Sequence, residues 1–118
     1  MLIVEDQADT REMLRLVLEL EGYRVLAADD GLQAIELAAA RRPAIALIDI
    51  GLPGVDGYEV ARRLRAGSDG KSIHLIALTG YGSDEDRRRS LESGFDVHLV
   101  KPIEPAELTR LLAGVDKG

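Results

Sequence analysis

The sequence predicts an α/β fold in which a doubly wound parallel sheet is covered by helices on both faces. Apolar runs of strand length alternate five times with stretches of helical periodicity, which is typical of strands joined by crossover helices. The chain has 118 residues, enough for one domain with a buried core, and we expect residues 1–118 to form that single domain. Its hydrophobic fraction of 46% and charged fraction of 31% are ordinary for a globular protein.

Five short apolar runs are the predicted strands, and they cover residues 2–4, 24–28, 44–48, 73–78 and 99–100. After the first run, Leu14, Val17 and Leu18 recur at the i, i+3, i+4 spacing of an amphipathic helix. Gly22 follows this pattern, and glycine commonly terminates helices. The first crossover is therefore predicted to be a helix that ends at Gly22.

The second and third crossovers carry smaller apolar faces. Ile35, Ala38 and Ala39 mark the predicted face of helix two. Pro43 ends this helix, because the residue before a proline disfavours helical backbone. The loop after helix three is predicted at residues 67–70. The residues predicted to line helix three are Val60, Ala61 and Leu64.

Helices four and five differ in their apolar content. From residue 83 to residue 93 the chain reads SDEDRRRSLES, in which Leu91 is the one strongly apolar side chain. A helix that buries so little should be weakly held and free to shift. Its surface is either a solvated face with many ion pairs or a docking surface for a partner. Helix five starts near Pro105, which suits a first helical turn, and its apolar stripe consists of Leu108, Leu111, Leu112 and Val115.

The charge and composition argue against several kinds of partner. The net charge is −6 and the isoelectric point is near 4.9, which disfavours direct binding of nucleic acid or of an anionic membrane. No apolar run is long enough to span a membrane, and no signal peptide is visible. There are no cysteines, which fits a reducing compartment. We therefore expect a soluble, acidic domain in the cytoplasm.

Polar side chains follow four of the five predicted strands. Glu5 and Asp6 come after the first strand, Asp49 after the third, Thr79 after the fourth and Lys101 after the fifth. All strands of an open parallel sheet end at the same edge, so these side chains are expected to meet there. Each one alone has an ordinary explanation, such as a turn-forming aspartate or a strand-forming threonine. Together they suit phosphoryl transfer onto an aspartate.

The acids of this group are predicted to hold Mg²⁺. Three crowded carboxylates repel one another unless a cation neutralises them, and ligands that are all oxygen select a hard ion. Asp6 and Asp49 would be direct ligands, and Glu5 would reach the ion through water. Asp49 ends an otherwise apolar strand, and the glycine- and proline-rich segment 51–57 behind it leaves room for a ligand. These features favour Asp49 as the acceptor.

With these clusters in order, the sequence resembles the response-regulator receiver domain of two-component signalling. The resemblance runs from Leu2 to about Val115 and rests on ED after the first strand, DIGLPGVDG around Asp49, LTG at Thr79 and VKP at Lys101. It implies a flavodoxin-like fold with five parallel strands in the order 2-1-3-4-5 and five flanking helices. The segments DIGLPG and GFDVHLVKPI also resemble receivers attached to hybrid histidine kinases.

The resemblance implies roles for the acidic residues and for one backbone oxygen. Asp49 corresponds to the phosphoacceptor. Glu5 and Asp6 correspond to the metal-binding acidic pair, and the backbone carbonyl of Gly51 corresponds to the third protein ligand of the metal. Mg²⁺ is therefore the cofactor that the resemblance implies.

Five further positions have implied or suggested roles. Thr79 resembles the switch hydroxyl that moves to the phosphoryl group, and Lys101 resembles the cation that pairs with it. His98 stands where the family often has Tyr or Phe that rotates inward, so it is either a switch position or an exposed histidine without that role. Tyr81 occupies a place where family members vary the access of water. Pro102 allows a cis peptide that would hold Lys101 in place.

The predicted function is that of a phosphoacceptor domain in a two-component or phosphorelay system. Transfer from the phosphohistidine of a histidine kinase or phosphotransfer protein to Asp49 would switch the face formed by helix four, strand five and helix five. That face would then bind an effector or a second receiver. We expect no enzymatic turnover of external substrates, although the domain would assist its own phosphorylation and dephosphorylation. No output domain follows Val115, so we expect a free-standing receiver or a piece of a longer protein.

Three alternative functions are open at this point, and one of them is a flavin-binding domain of similar topology, although the chain has no Ser/Thr-rich phosphate loop after the first strand. A receiver-like interaction module that is never phosphorylated would bind partners without chemistry, but such a module would not need the five polar groups of the site. An aspartyl-phosphate phosphatase generally has a second acid two residues after its nucleophile, and this chain has Gly51 at that position.

Overall fold

The computed structural model describes residues 1–67, 72–80 and 84–117, and within these ranges five strands alternate with five helices. The strands are β1 (Leu2–Val4), β2 (Leu26–Ala28), β3 (Ile45–Asp49), β4 (His74–Thr79) and β5 (Val97–Val100). The helices are α1 (Ala8–Leu20), α2 (Gly31–Arg41), α3 (Gly57–Ala66), α4 (Asp84–Ser93) and α5 (Pro105–Lys117). The strands are parallel and lie in the order β2-β1-β3-β4-β5, so the predicted fold class and strand order are confirmed.

Side chains of the central strands alternate between two apolar cores, one on each face of the sheet. Leu2 and Val4 belong to the core that includes residues of α2 and α3, whereas Ile3 belongs to the core that includes residues of α1 and α5. Every residue of β1 and β3 is buried. Burial on both faces explains why these strands read as continuous apolar runs rather than as alternating patterns.

The predicted strand boundaries differ slightly from the observed ones. β2 begins at Leu26 rather than at Arg24, because β1 is only three residues long and its first residue, Leu2, pairs with Leu26. β3 and β4 each lie one residue later than predicted, so that they end on Asp49 and Thr79. β5 begins two residues earlier than predicted, at Val97. The hydrogen-bonded ladder therefore includes polar residues that the apolar runs leave out.

The predicted helix faces are mostly confirmed. α2 has one error, because Ala39 is exposed and the buried side of the helix is formed by Gly31, Ala34 and Ala38. Ala34 and Ala38 are four residues apart and so lie on one side of the helix. The side chain of Val115 lies outside the described part of the chain. Buried as predicted are Leu14 and Leu18 in α1, Val60, Ala61 and Leu64 in α3, and Leu108 and Leu112 in α5.

Helix α4 buries two serines, Ser90 and Ser93, and leaves Leu91 63% exposed. The apolar anchor of this region is Phe95, which comes just after the helix and is buried in the core beside α2 and α3. The predicted shortage of apolar burial in α4 is therefore confirmed. Residues 68–71 and 81–83 lie outside the described ranges, so most of the predicted loop at 67–70 does too.

Among the described residues, no helix combines the length and the apolar character that crossing a membrane would require.

Candidate functional site

Four strands deliver polar side chains to the carboxyl edge of the sheet. Asp49 is the last residue of β3 and Thr79 is the last residue of β4. Glu5 directly follows β1, and Lys101 directly follows β5. Thr79 pairs with Val100 in the ladder, so Lys101 comes next to the end of β4. The parallel topology thus brings these residues to one edge, as predicted.

The side chains of Glu5, Asp49 and Lys101 are in direct contact. The Lys101 Nζ donates hydrogen bonds to Glu5 Oε1 at 2.6 Å and to Asp49 Oδ2 at 3.2 Å. The backbone N–H of Gly51 donates to the other carboxylate oxygen of Asp49, Oδ1, at 2.9 Å. Asp49 is 7% exposed and Glu5 is fully buried. The Asp49 carboxylate is therefore fixed at both oxygens and still reaches solvent.

The turn after Asp49 brings α3 very close to the end of β3. A Cβ at Gly57 would lie 2.5 Å from the backbone oxygen of Asp49, so glycine is required for this approach. Gly54 has a φ of 74°, which glycine adopts without strain. The Asp56 carboxylate accepts the Glu59 N–H at 2.9 Å and caps α3. The two glycines and the Asp56 cap thus explain how the chain makes so tight a turn between β3 and α3.

Burial and the neighbouring charges shift the pKa values of the side chains in the site. Burial raises the pKa of Glu5 to about 7, and the neighbouring Asp49 adds to this rise although the hydrogen bond from Lys101 opposes it. Burial would also raise the pKa of Asp49, but its interactions with Glu5, with the Gly51 N–H and with the Lys101 ammonium outweigh burial and hold that pKa below its usual value. The pKa of Lys101 is raised, because its two carboxylate partners outweigh the effect of burial. Asp49 is therefore the acid of this pair that ionises first.

Glu5, Asp6 and Asp49 form a group that fits a divalent cation. One carboxylate oxygen from each residue lies within 4.8 Å of the others. Asp6 is exposed, whereas the other two acids are buried. A donor set made of oxygen suits Mg²⁺ better than a softer metal. The role of the Gly51 carbonyl as a further ligand remains a prediction.

Thr79 and Lys101 are linked through the backbone. The Lys101 N–H donates to the Thr79 backbone oxygen at 2.7 Å. Thr79 is 1% exposed, and the peptide between Lys101 and Pro102 is cis, as the sequence allows. Pro102 itself is exposed. The switch and phosphoryl-binding roles of these residues remain predictions.

The possible switch position, His98, belongs to the described part of the chain, whereas the modulating position Tyr81 does not. His98 lies in β5, is partly exposed, and lines a cavity of about 520 Å³ between α4, β5 and α5. The cavity has an apolar wall that includes Phe95 and Leu99. Tyr81 lies outside the described residues. The switch role of His98 and the effect of Tyr81 on the access of water therefore remain predictions.

The sequence prediction missed Arg11, which touches the backbone of the acidic pair. The Arg11 Nη1 donates to the Glu5 backbone oxygen at 2.8 Å. Arg11 lies near the start of α1, and long helical side chains lean back toward the amino end of their helix. An arginine in this position after an acidic pair is the signal that would have identified it.

Comparison with known proteins places residues 1–113 in one family. The family described as response regulator receiver domain matches residues 1–113. The phosphate regulon transcriptional regulatory protein PhoB of Pseudomonas aeruginosa is 40% identical over 114 residues, which are 97% of this chain and 50% of PhoB. The chain therefore spans about half the length of this relative. A 14.6 kDa protein of Leptolyngbya boryana is also 40% identical, over 94% of this chain and 85% of its own length.

Solved structures agree with the fold. The chemotaxis protein CheY4 of Vibrio cholerae has a TM-score of 0.92 at 31% identity and covers 97% of this chain and 95% of its own. The receiver domain of the sensor histidine kinase PA1611 of Pseudomonas aeruginosa has a TM-score of 0.87 at 38% identity, with 94% and 91% covered. That structure has a magnesium ion coordinated in its active site cleft.

Proposed function

This chain belongs to the response regulator receiver domain family, whose members act in two-component and phosphorelay signalling, and we propose that Asp49 is the residue on which it accepts a phosphoryl group. The observation that carries the proposal is the setting of the Asp49 carboxylate. It lies at the carboxyl edge of the sheet with one oxygen bound by Lys101 and the other by the Gly51 N–H. Its lowered pKa keeps it ionised and able to attack.

The proposed reaction is an in-line phosphoryl transfer. A bond forms between a carboxylate oxygen of Asp49 and phosphorus, and the bond from phosphorus to the donor's histidine nitrogen breaks, with its electron pair left on that nitrogen. Lys101 is within 3.2 Å of the acceptor carboxylate and would pair with a phosphoryl oxygen. Thr79 would supply a hydroxyl to the same group. Catalysis is then mostly positioning and electrostatics.

Glu5, Asp6 and Asp49 would hold Mg²⁺, together with the Gly51 carbonyl. When bound, the ion supplies positive charge that offsets the acids and the incoming phosphoryl group. Glu5 and Asp49 already share Lys101 as a counter-ion, which is consistent with a site that must keep several negative groups close together. The exposure of Asp6 gives this group access from solvent.

The proposed donor is a histidine kinase or a phosphotransfer protein. The proposed output is binding of an effector or of a second receiver at the face formed by α4, β5 and α5, with His98 as a switch position in that face. Tyr81 would tune access of water to the phosphoryl group, and Pro102 would hold Lys101. The domain would catalyse no turnover of external substrates. Because the chain has no cysteines, we propose the cytoplasm as its compartment.

The direct test is phosphorylation by a small acyl phosphate. The protein would be incubated with acetyl phosphate and Mg²⁺, and the phosphorylated fraction would be measured by intact mass spectrometry beside Asp49→Asn, which keeps the shape of the side chain. We expect modification of the wild type that requires Mg²⁺ and is absent from the variant. Equal modification of both proteins would mean that a residue other than Asp49 accepts the phosphoryl group and would overturn the proposal, whereas modification of neither would favour the non-phosphorylated interaction module.

A further inference from the structure

The peptide that joins the two acids of the site is held from both sides. Before it, the Glu5 N–H donates to the Ala28 backbone oxygen at 3.1 Å, which extends the ladder between β1 and β2 by one bond. At its oxygen, the Glu5 carbonyl accepts from Arg11 Nη1 at 2.8 Å. After it, the Gln7 N–H donates to Glu5 Oε2 at 3.2 Å. The orientation of the Glu5–Asp6 peptide therefore depends on a side chain from α1.

Arg11 is itself well placed to hold this peptide. Its backbone N–H donates to the Gln7 oxygen at 2.9 Å, so it belongs to the first turns of α1. Gln7, the residue at the start of α1, makes no side-chain hydrogen bond that caps the helix. The Glu5 carboxylate takes over part of that task by accepting the Gln7 N–H, and the Arg11 guanidinium ties the loop to the helix by donating to the Glu5 backbone oxygen. The loop that carries both acids is thus braced by Arg11.

Asp6 depends most on this bracing. It is the exposed acid of the group, whereas Glu5 is packed against Lys101 and is fully buried. The direction in which the Asp6 carboxylate points is set by the backbone that carries it. The oxygen of the preceding peptide is the atom that Arg11 holds. Loss of this hydrogen bond would allow the peptide to rotate and Asp6 to leave the group.

We propose that Arg11 is a positioning residue that keeps Glu5 and Asp6 in place for a divalent cation, an inference that rests on the proposed function of the site. Two effects of Arg11 oppose each other. Its positive charge repels a cation and would weaken binding, whereas its hydrogen bond orders the ligands and strengthens binding. Partners that orient metal ligands from outside typically contribute 10–100-fold to affinity. Positioning is the larger effect in this proposal, so removal of Arg11 weakens binding.

The test is the dissociation constant of Mg²⁺ measured by isothermal titration calorimetry. Arg11→Met keeps the length of the side chain but removes its charge and its N–H donors. We expect binding about 10-fold weaker than in the wild type. Arg11→Lys, which keeps the charge and a donor, should recover part of that loss. Arg15→Met is the matched control, because Arg15 lies one turn along α1 and pairs with the exposed Glu12 and Glu19.

The sign of the change decides between the two effects. Binding by Arg11→Met that equals or exceeds wild-type affinity would overturn the proposal while leaving the proposed function intact. Absence of Mg²⁺ binding in the wild type would overturn both. Thermal melts without Mg²⁺ separate positioning from general damage, since a fall in melting temperature like that of a core mutation would mean that Arg11 is merely structural. If Arg11→Met does not fold, Arg11→Gln takes its place with the same expected sign.

Discussion

Helices α4 and α5 flank the same strand, β5, but are attached to the sheet by different chemistry. α5 inserts Leu108 and Leu112 into the core, and both are at most 1% exposed. α4 buries two serines and leaves its leucine, Leu91, 63% exposed. Burial of a leucine contributes about 1.5–3 kcal/mol, so α5 is fixed to the core in a way that α4 is not.

Polar contacts from α3 supply much of what α4 lacks. Tyr58, Arg62 and Arg65 lie four and three residues apart, which places them along one side of α3. Each of the three contacts α4 or the residue that follows it. The Arg89 guanidinium of α4 lies above the Tyr58 ring, 4.3 Å from its centroid. Arg62 Nη1 donates to Ser93 Oγ at 3.3 Å, and Arg65 Nε donates to the Gly94 backbone oxygen at 2.8 Å. A cation–π contact at an exposed site is worth about 0.5–1 kcal/mol. Contacts of this size allow α4 to shift without opening the core.

The largest expected effect comes from a substitution that weakens the attachment of α5 to the core. Leu108→Ala should lower the free energy of unfolding by about 2–5 kcal/mol, because it leaves a cavity in the core. Leu91→Ala on α4 removes the same atoms from an exposed position and should change it by less than about 0.5 kcal/mol. Urea denaturation would measure both. Similar losses for the two variants would mean that α4 is packed as tightly as α5.

A second effect concerns the junction of α3 with the site. Gly57→Ala would place a methyl group 2.5 Å from the Asp49 oxygen, so α3 or the end of β3 must move. We expect a loss of about 1–3 kcal/mol in the free energy of unfolding. In Gly114→Ala nothing lies within 4 Å of the new methyl group, and the change should stabilise α5 by about 0.5–1 kcal/mol. Equal effects at the two glycines would contradict this close approach.

The smallest expected effect concerns the contact between Arg89 of α4 and Tyr58 of α3. Arg89→Ala removes the cation above the Tyr58 ring and should lower the free energy of unfolding by about 0.5–1 kcal/mol. A double-mutant cycle with Tyr58→Leu would isolate the contact, since the two losses should not add. Arg88→Ala, at the neighbouring exposed position, is the control. Additive losses in the cycle would show that the ring and the guanidinium are not coupled.

The fold could be predicted from the sequence because both faces of the central strands are buried. Continuous apolar runs located β1, β3 and β4 to within one residue. The runs could not locate the exact strand ends, because Asp49 and Thr79 are polar but still belong to the hydrogen-bonded ladder. In α2, Ala34 and Ala39 have equal hydrophobicity, so composition did not reveal which one is buried.

The site was predictable to the extent that strand ends carry it. Glu5, Asp49 and Lys101 come together because parallel strands share an edge, and their positions in the chain already indicate this. Arg11 acts from a helix and contacts a backbone oxygen. Its role depends on the path of the loop after β1, which hydrophobic periodicity does not specify. The sequence did not reveal that arginines attach α4 to α3 either, because charged residues on a helix are equally typical of a solvated surface.

The most direct test of the central claim, that the Asp49 site acts on α4, is hydrogen–deuterium exchange followed by mass spectrometry. The protein would be compared with and without Mg²⁺ and fluoroberyllate, a stand-in for a phosphoryl group on a carboxylate, beside Asp49→Asn. We predict that exchange changes in peptides covering residues 84–93 of α4, while peptides covering residues 108–112 of α5 stay as they were. The Asp49→Asn variant should show no change in either segment. Unaltered exchange in α4, or an equal change in the variant, would contradict the claim.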